Sequence, residues 1–250
     1  MNWKNYATLL ICFTIVLTPL FALELHSLIL VVFTMFVGYQ VWQTIRLYRM
    51  FSIVDKHCDP VRFLEKFKSS PMIFPNMYRA ISLSLAGRYQ DSYELVIATE
   101  PHKRRDFGFK VAYHVLLMSY YLDKNDMENA TVEYKNLIKL RRRSFLPQLN
   151  MSIDLSVAEY HYKLNVTDDT TKYFLAQVRY LYSIYVKKLS LRHKLAFKYY
   201  EADLLEKLGD IKGALSLYGK IAEVGNTLHF AEISRKKLLE LKTETGQTYE

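Results

Sequence analysis

The feature that most limits what this chain can fold into is a pair of uncharged apolar runs near its start. Residues 6–23 read YATLLICFTIVLTPLFAL and residues 28–45 read LILVVFTMFVGYQVWQTI, 18 residues each with no ionised side chain. As helices, each would extend about 27 Å, close to the roughly 30 Å hydrocarbon thickness of a bilayer. Only Glu24, Leu25, His26 and Ser27 separate them, enough to reverse direction. The pattern therefore predicts a transmembrane helical hairpin over residues 1–45. A cleaved signal peptide explains it less well, because the first run is too long and no A-x-A-like site precedes the second.

The flanks set an expected orientation. Lys4 precedes the first run, Arg46, Arg49 and Lys56 come after the second, and the turn between has no Lys or Arg. By the positive-inside rule both termini lie on the cytoplasmic side of a cell membrane spanned twice. Trp3, Tyr6, Tyr39, Trp42 and Tyr48 would then gather at one membrane interface, where indole and phenol rings prefer to lie.

The rest of the chain is different in kind. Of 34 basic and 25 acidic side chains, only Lys4 and Glu24 fall within residues 1–45, so the net charge of +9 belongs to residues 46–250. Two cysteines, Cys12 and Cys58, give no disulfide framework. Eight glycines and six prolines are few for a loop-rich or sheet-rich fold. Residues 46–70 read as a juxtamembrane connector, broken at Asp59-Pro60, with a short amphipathic helix over 61–68. From residue 71 to 250 apolar residues recur at three- and four-residue spacing, as in Val111, Val115, Met118 and Leu122, which marks amphipathic helices. The expected class is all-α.

Four segments of this region align on their turns: AISLSLAGRYQDSYELV from Ala80, MSYYLDKNDMENATVEY from Met118, AEYHYKLNVTDDTTKYF from Ala158 and ADLLEKLGDIKGALSLY from Ala202. The turn residues Gly87, Asn125, Asn165 and Gly209 each tolerate positive φ, as a helix C-terminus needs. They stand 38, 40 and 44 residues apart, with Ser92, Ala130, Thr170 and Ala214 five positions after each turn. This pattern resembles the tetratricopeptide repeat. The last segment is nearest the family's signature, with Ala202, Leu205, Gly209-Asp210-Ile211, Ala214 and Tyr218. The second keeps Asn125-Asp126-Met127, Ala130 and Tyr134. The first has Ser92 in place of Ala, the third is weak, and Arg104, Arg142, Tyr182 and Asn226 stand where the family places its closing Pro.

The resemblance implies an α-solenoid of about four helix-turn-helix units whose first helices line a groove for a protein partner. Carried across by position, the groove residues are Met77, Ile81 and Ser84; Val115, Ser119 and Leu122; Leu155, Glu159 and Tyr162; and Tyr199, Asp203 and Glu206. The Lys, Asn and Arg of the family's carboxylate clamp are absent from these places, so capture of chaperone C-terminal tails is not implied.

Motifs for chemistry are missing. There is no GxxxxGK[ST], GxGxxG, HExxH, GxSxG or CxxC. Asp55, His57, Cys58 and Asp59 cluster, but at this spacing they need a special turn to converge on one ion, and no second cluster completes a ligand set. No catalytic residue, cofactor or metal is expected, and the chain reads as a non-enzyme. Two basic clusters, Lys103, Arg104 and Arg105 and then Arg141, Arg142 and Arg143, are candidate contacts for anionic lipid headgroups beside the bilayer, or helix C-terminal charges with no ligand. No recognised motif accompanies the charge, so nucleic acid is not indicated. The function these features predict is a membrane-anchored scaffold or adaptor that binds a protein partner at the cytoplasmic face. The alternatives are an accessory subunit of a larger membrane complex and an enzyme with an unrecognised site.

Overall fold

A computed structural model describes residues 27–68, 76–98, 107–143, 162–163 and 171–245. Among the described residues the helices are α1 (Ser27–His57), α2 (Pro60–Lys68), α3 (Asn76–Leu85), α4 (Tyr89–Ile97), α5 (Phe107–Asp123), α6 (Met127–Arg143), α7 (Thr171–Tyr185), α8 (Leu191–Lys207), α9 (Ile211–Val224) and α10 (His229–Thr245), with no strand. The chain forms two compact units, Met1–Tyr48 and Arg49–Glu250.

The first unit corrects the membrane reading. Among the described residues no helix is long and apolar enough to cross a membrane. The run at 28–45 is not a bounded span. It is the opening of α1, which continues without a break to His57. Gln40, Gln43 and Thr44 interrupt its later turns, and Arg46 and Arg49 come next on the same helix. A spanning helix has to stay apolar through the full hydrocarbon depth. The run at 6–23 lies outside the described residues. The transmembrane hairpin, the two-span topology, and the cytoplasmic placement of both termini and of the repeat region are accordingly withdrawn.

The second unit is built from helix hairpins. The pairs α3–α4, α5–α6 and α8–α9 each pack along their length, and α10 packs on α9. The three turns are alike. Gly87, Asn125 and Gly209 hold φ of 76°, 56° and 82°. The next backbone N–H in each reaches back to close the helix: Arg88 to the Leu83 carbonyl at 2.9 Å, Asp126 to Tyr121 at 2.8 Å and Asp210 to Leu205 at 2.9 Å. This is the Schellman arrangement, which satisfies carbonyls that a helix end otherwise leaves bare. Asp126 and Asp210 then cap the next helices, accepting from the backbone N–H of Asn129 (3.1 Å) and Gly213 (2.9 Å).

Small side chains, with Met118 the one large exception, let the paired helices close. Ala80 and Ser92, Met118 and Ala130, and Ala202 and Ala214 are all sealed from solvent. Ser92, the departure from Ala, donates its hydroxyl to the Ala80 carbonyl at 2.9 Å across the hairpin, so its burial leaves no orphaned oxygen. The third alignment centre, with Ala158, Asn165 and Thr170, lies outside the described residues. Tyr162 from that segment is buried on α6, stacked on Tyr134 with centroids 4.2 Å apart and its hydroxyl 2.7 Å from Thr131 Oγ1.

Segment 46–70, read as a connector, supplies the end of α1 and the whole of α2. Ile53, Val54 and Phe63 form a small core with Phe51, Phe67 and Tyr78. Phe51 meets Phe63 and Tyr78 edge-on, at 5.7 and 5.1 Å. Asp59 caps α2 by accepting from the Arg62 N–H at 3.0 Å, and Pro60 occupies the first helical position, where a missing N–H costs nothing.

The glycine turns yield an ordered expectation. A Cβ at Gly209 would meet open space, so Gly209→Ala carries only the left-handed backbone penalty, about 1 kcal/mol. A Cβ at Gly87 would lie 2.5 Å from His229 Nδ1, so Gly87→Ala should cost clearly more. Urea denaturation of both variants measures the difference. Equal losses would mean that the Gly87–His229 approach is not held in solution.

Candidate functional site

The groove positions inferred from the repeat resemblance divide by burial. Met77, Leu122 and Tyr162 are buried, the first in the core under α3–α5 and the other two in the core shared by α5 and α6. Ile81, Ser84, Val115, Ser119, Tyr199, Asp203 and Glu206 are half-buried. Leu155 and Glu159 lie outside the described residues. Ser119 turns its hydroxyl back to the Val115 carbonyl at 3.0 Å.

On the last hairpin these positions form a polar and aromatic cluster. Glu206 is its centre: it accepts from the Tyr218 hydroxyl at 2.8 Å and from Lys237 Nζ at 2.6 Å. Burial, and then the bond to Glu206, push the Tyr218 phenol far above its usual range, so it stays a neutral donor. The bond to Glu206 raises Lys237, which stays charged. Asp203 pairs with Lys207 at 3.1 Å. The Tyr199 ring sits 6.2 Å from Tyr218 and 5.8 Å from Phe230.

Tyr89 and His229 bring the first hairpin to α10. Tyr89, just after the Gly87 turn, meets the His229 ring edge-on at 5.6 Å. Burial and then Asp123 push the Tyr89 phenol up to about 12. Burial lowers His229, and Glu232 and Asp123 only partly offset this. Nothing local in the sequence announces the pairing, since the two residues are 140 positions apart.

The cluster Asp55, His57, Cys58 and Asp59 is a clasp. Cys58 holds φ of 55° and its side chain is sealed in the core of α7–α10. That left-handed residue is the turn such a cluster needed, yet it spreads the side chains instead of converging them. Asp55 accepts from Arg192 Nε at 2.9 Å. The Asp59 carboxylate accepts from the Thr227 hydroxyl at 2.7 Å, and the His57 carbonyl accepts from the Asn226 amide at 3.3 Å. Among the described residues no group of His, Cys, Asp and Glu could hold a metal ion.

Two histidines of the helical region, His114 and His193, have local partners. His114 Nδ1 lies 2.5 Å from Glu133 Oε2, joining α5 to α6. His193 is buried, its Nδ1 2.7 Å from Ser190 Oγ and its Nε2 3.0 Å from Arg192 Nη2, so it props the start of α8 beside the clasp. The basic cluster at 103–105 lies outside the described residues, and Arg141, Arg142 and Arg143 form the last turn of α6. Comparison of the chain with models of protein families, with curated proteins and with solved structures finds no match.

The burial of these groups has two measurable consequences. Burial pushes the Cys58 thiol up to about 11, and the thiolate is the reactive form. In a Cys12→Ser background, iodoacetamide at pH 8 should therefore label Cys58 only as fast as the second unit opens, with the rate rising in urea. Rapid labelling of the native protein would show the clasp open. The folded His229 has a pKa below its unfolded 6.5, so the unfolded chain takes up a proton first as pH falls. This contribution is complete above pH about 6.5 and is lost as pH drops below it. The stability gap between the native chain and His229→Gln should therefore shift between pH 7.5 and 5 in the direction that relieves the variant, read by urea denaturation at each pH.

Proposed function

We propose that this chain is a helical-repeat scaffold that binds a protein partner along the first-helix faces of its hairpins. The observation that carries this reading is the contrast in burial within those helices. The small positions that join each hairpin are sealed, while Ile81, Ser84, Val115, Ser119, Tyr199, Asp203 and Glu206 keep part of their surface open. A residue needed only for packing gains most by complete burial. Ile81, Ser119 and Asp203 hold the same place in the three described hairpins and stay half-open in each, although Met77 and Leu122 at neighbouring places are buried; a half-open position that recurs this way suits a surface kept for an external chain. The resemblance of the turns and small residues to tetratricopeptide repeats supports the same reading. Because Asp203 and Glu206 are already answered by Lys207, Lys237 and Tyr218, this part of the face offers a partner a polar, hydrogen-bonding surface beside the Tyr199 ring.

The test uses the full chain as bait, beside a Ser84→Arg, Ser119→Arg, Asp203→Arg triple variant whose thermal melt matches the parent. The expected result is one or more stoichiometric protein partners whose recovery falls at least about tenfold with the variant. Identical partner sets from the two baits, or no stoichiometric partner from either, would sink the proposal.

A further inference from the structure

Helix α7 has two unlike faces. Phe174, Leu175 and Val178 are buried toward α8, with Leu181, Tyr182 and Tyr185 packed behind them. On the opposite side Tyr173, Tyr180 and Ile184 are 60%, 66% and 49% exposed. At about 100° per residue, positions 173, 180 and 184 fall within roughly 40° of one another around the helix, so they form one ridge. Large apolar side chains aligned in an exposed row mark an interaction surface, whereas scattered ones do not.

The charge beyond the C-terminal end of this ridge is positive. From Thr170 to Tyr200 there are seven Lys and Arg and no Asp or Glu, while Asp168 and Asp169 stand just before that stretch and Glu201 just after it. Arg179 is taken by Glu201 at 2.6 Å and Arg192 by Asp55 at 2.9 Å. Lys172 at one end of α7, and Lys187 and Lys188 just beyond the other, are exposed. The ridge is thus apolar along its middle and positive at its C-terminal end.

We propose that the outward face of α7 docks an acidic, apolar-faced helix belonging to a partner protein. Its apolar side chains would cover Tyr173, Tyr180 and Ile184, and its carboxylates would meet Lys187 and Lys188. A second copy of this chain fits poorly, because it presents the same positive stretch and would set like charge against like. Nucleic acid fits less well than a helix. Tyr173 and Tyr180 are about 10 Å apart along the axis, the Tyr173 hydroxyl already accepts from the Gln177 amide, and Ile184 offers a base nothing to stack on. The inference rests on the scaffold reading only in taking the partner to be a protein. It concerns a different surface from the first-helix positions.

The experiment measures binding of the full chain to a fluorescein-labelled synthetic helical peptide with Leu and Phe on one face and Glu elsewhere, by anisotropy. Saturable binding that weakens with salt is expected. It should weaken at least about tenfold in Tyr180→Ser, Ile184→Ser and again in Lys187→Glu, Lys188→Glu, both with unchanged circular dichroism. The same peptide with Lys in place of Glu should not bind. Binding indifferent to both double variants would overturn the proposal. So would equal affinity for the lysine peptide, or a thymidine oligonucleotide that displaces the acidic peptide through the same residues. Self-association of the parent that vanishes in Tyr180→Ser, Ile184→Ser would assign the ridge to a second copy, and overturn it likewise. The Ser84→Arg, Ser119→Arg, Asp203→Arg variant should bind the peptide as the parent does, so the failure of either reading leaves the other standing.

Discussion

Helices that pair through alanine and serine come close enough for backbone to pack on backbone, and this close approach organises the second unit. It requires a turn that stops one helix and starts the next within a few residues. The chain meets that requirement three times with a residue at positive φ, Gly87, Asn125 or Gly209. Each turn returns an N–H to the helix it leaves, so tight reversal and hydrogen-bond satisfaction come from the same backbone geometry. Ser92 shows how firmly the packing governs the chemistry: where a hydroxyl replaces a methyl at a sealed position, it bonds to the facing helix.

Among the described residues each of the three hairpins packs chiefly within itself and on its neighbour in sequence. The second unit carries an additional constraint. Asp55, His57, Cys58 and Asp59 reach Arg192, Asn226 and Thr227, and Tyr89 reaches His229. These contacts join the early part of the unit to its end, so closure of that long loop has to be offset by the contacts themselves. Most are polar and only partly buried, where single bonds add modestly. The sealed Cys58 side chain adds apolar packing to the junction.

The surfaces left after this packing differ in character. The first-helix face of the last hairpin combines Tyr199 with Asp203 and Glu206, and its charges are largely answered by Lys207, Lys237 and Tyr218. The outward face of α7 exposes Tyr173, Tyr180 and Ile184, and the exposed Lys187 and Lys188 follow its C-terminal end. On the proposed scaffold reading, one surface would engage a segment by shape and the other by charge, because electrostatic complementarity governs encounter and selectivity more than total affinity.

The sequence alone determined the helical class and, at the three described hairpins, the turn residues Gly87, Asn125 and Gly209 and the sealed positions beside them; Asn165 and its neighbours lie outside the described residues. Each of these is a local demand: positive φ suits Gly and Asn, and a close helix pair admits only small side chains. It did not determine the use of the Asp55–Asp59 cluster, whose partners stand 137 to 169 positions away and were supplied by folding. It also misled at residues 28–45. An absence of charge records that a segment tolerates an apolar setting, but not how far the helix runs or which side chains its later turns carry, and α1 takes the run on into Arg46, Arg49 and His57. Tertiary structure decided these matters because they depend on which distant groups share a neighbourhood, and no window of neighbouring residues contains that information.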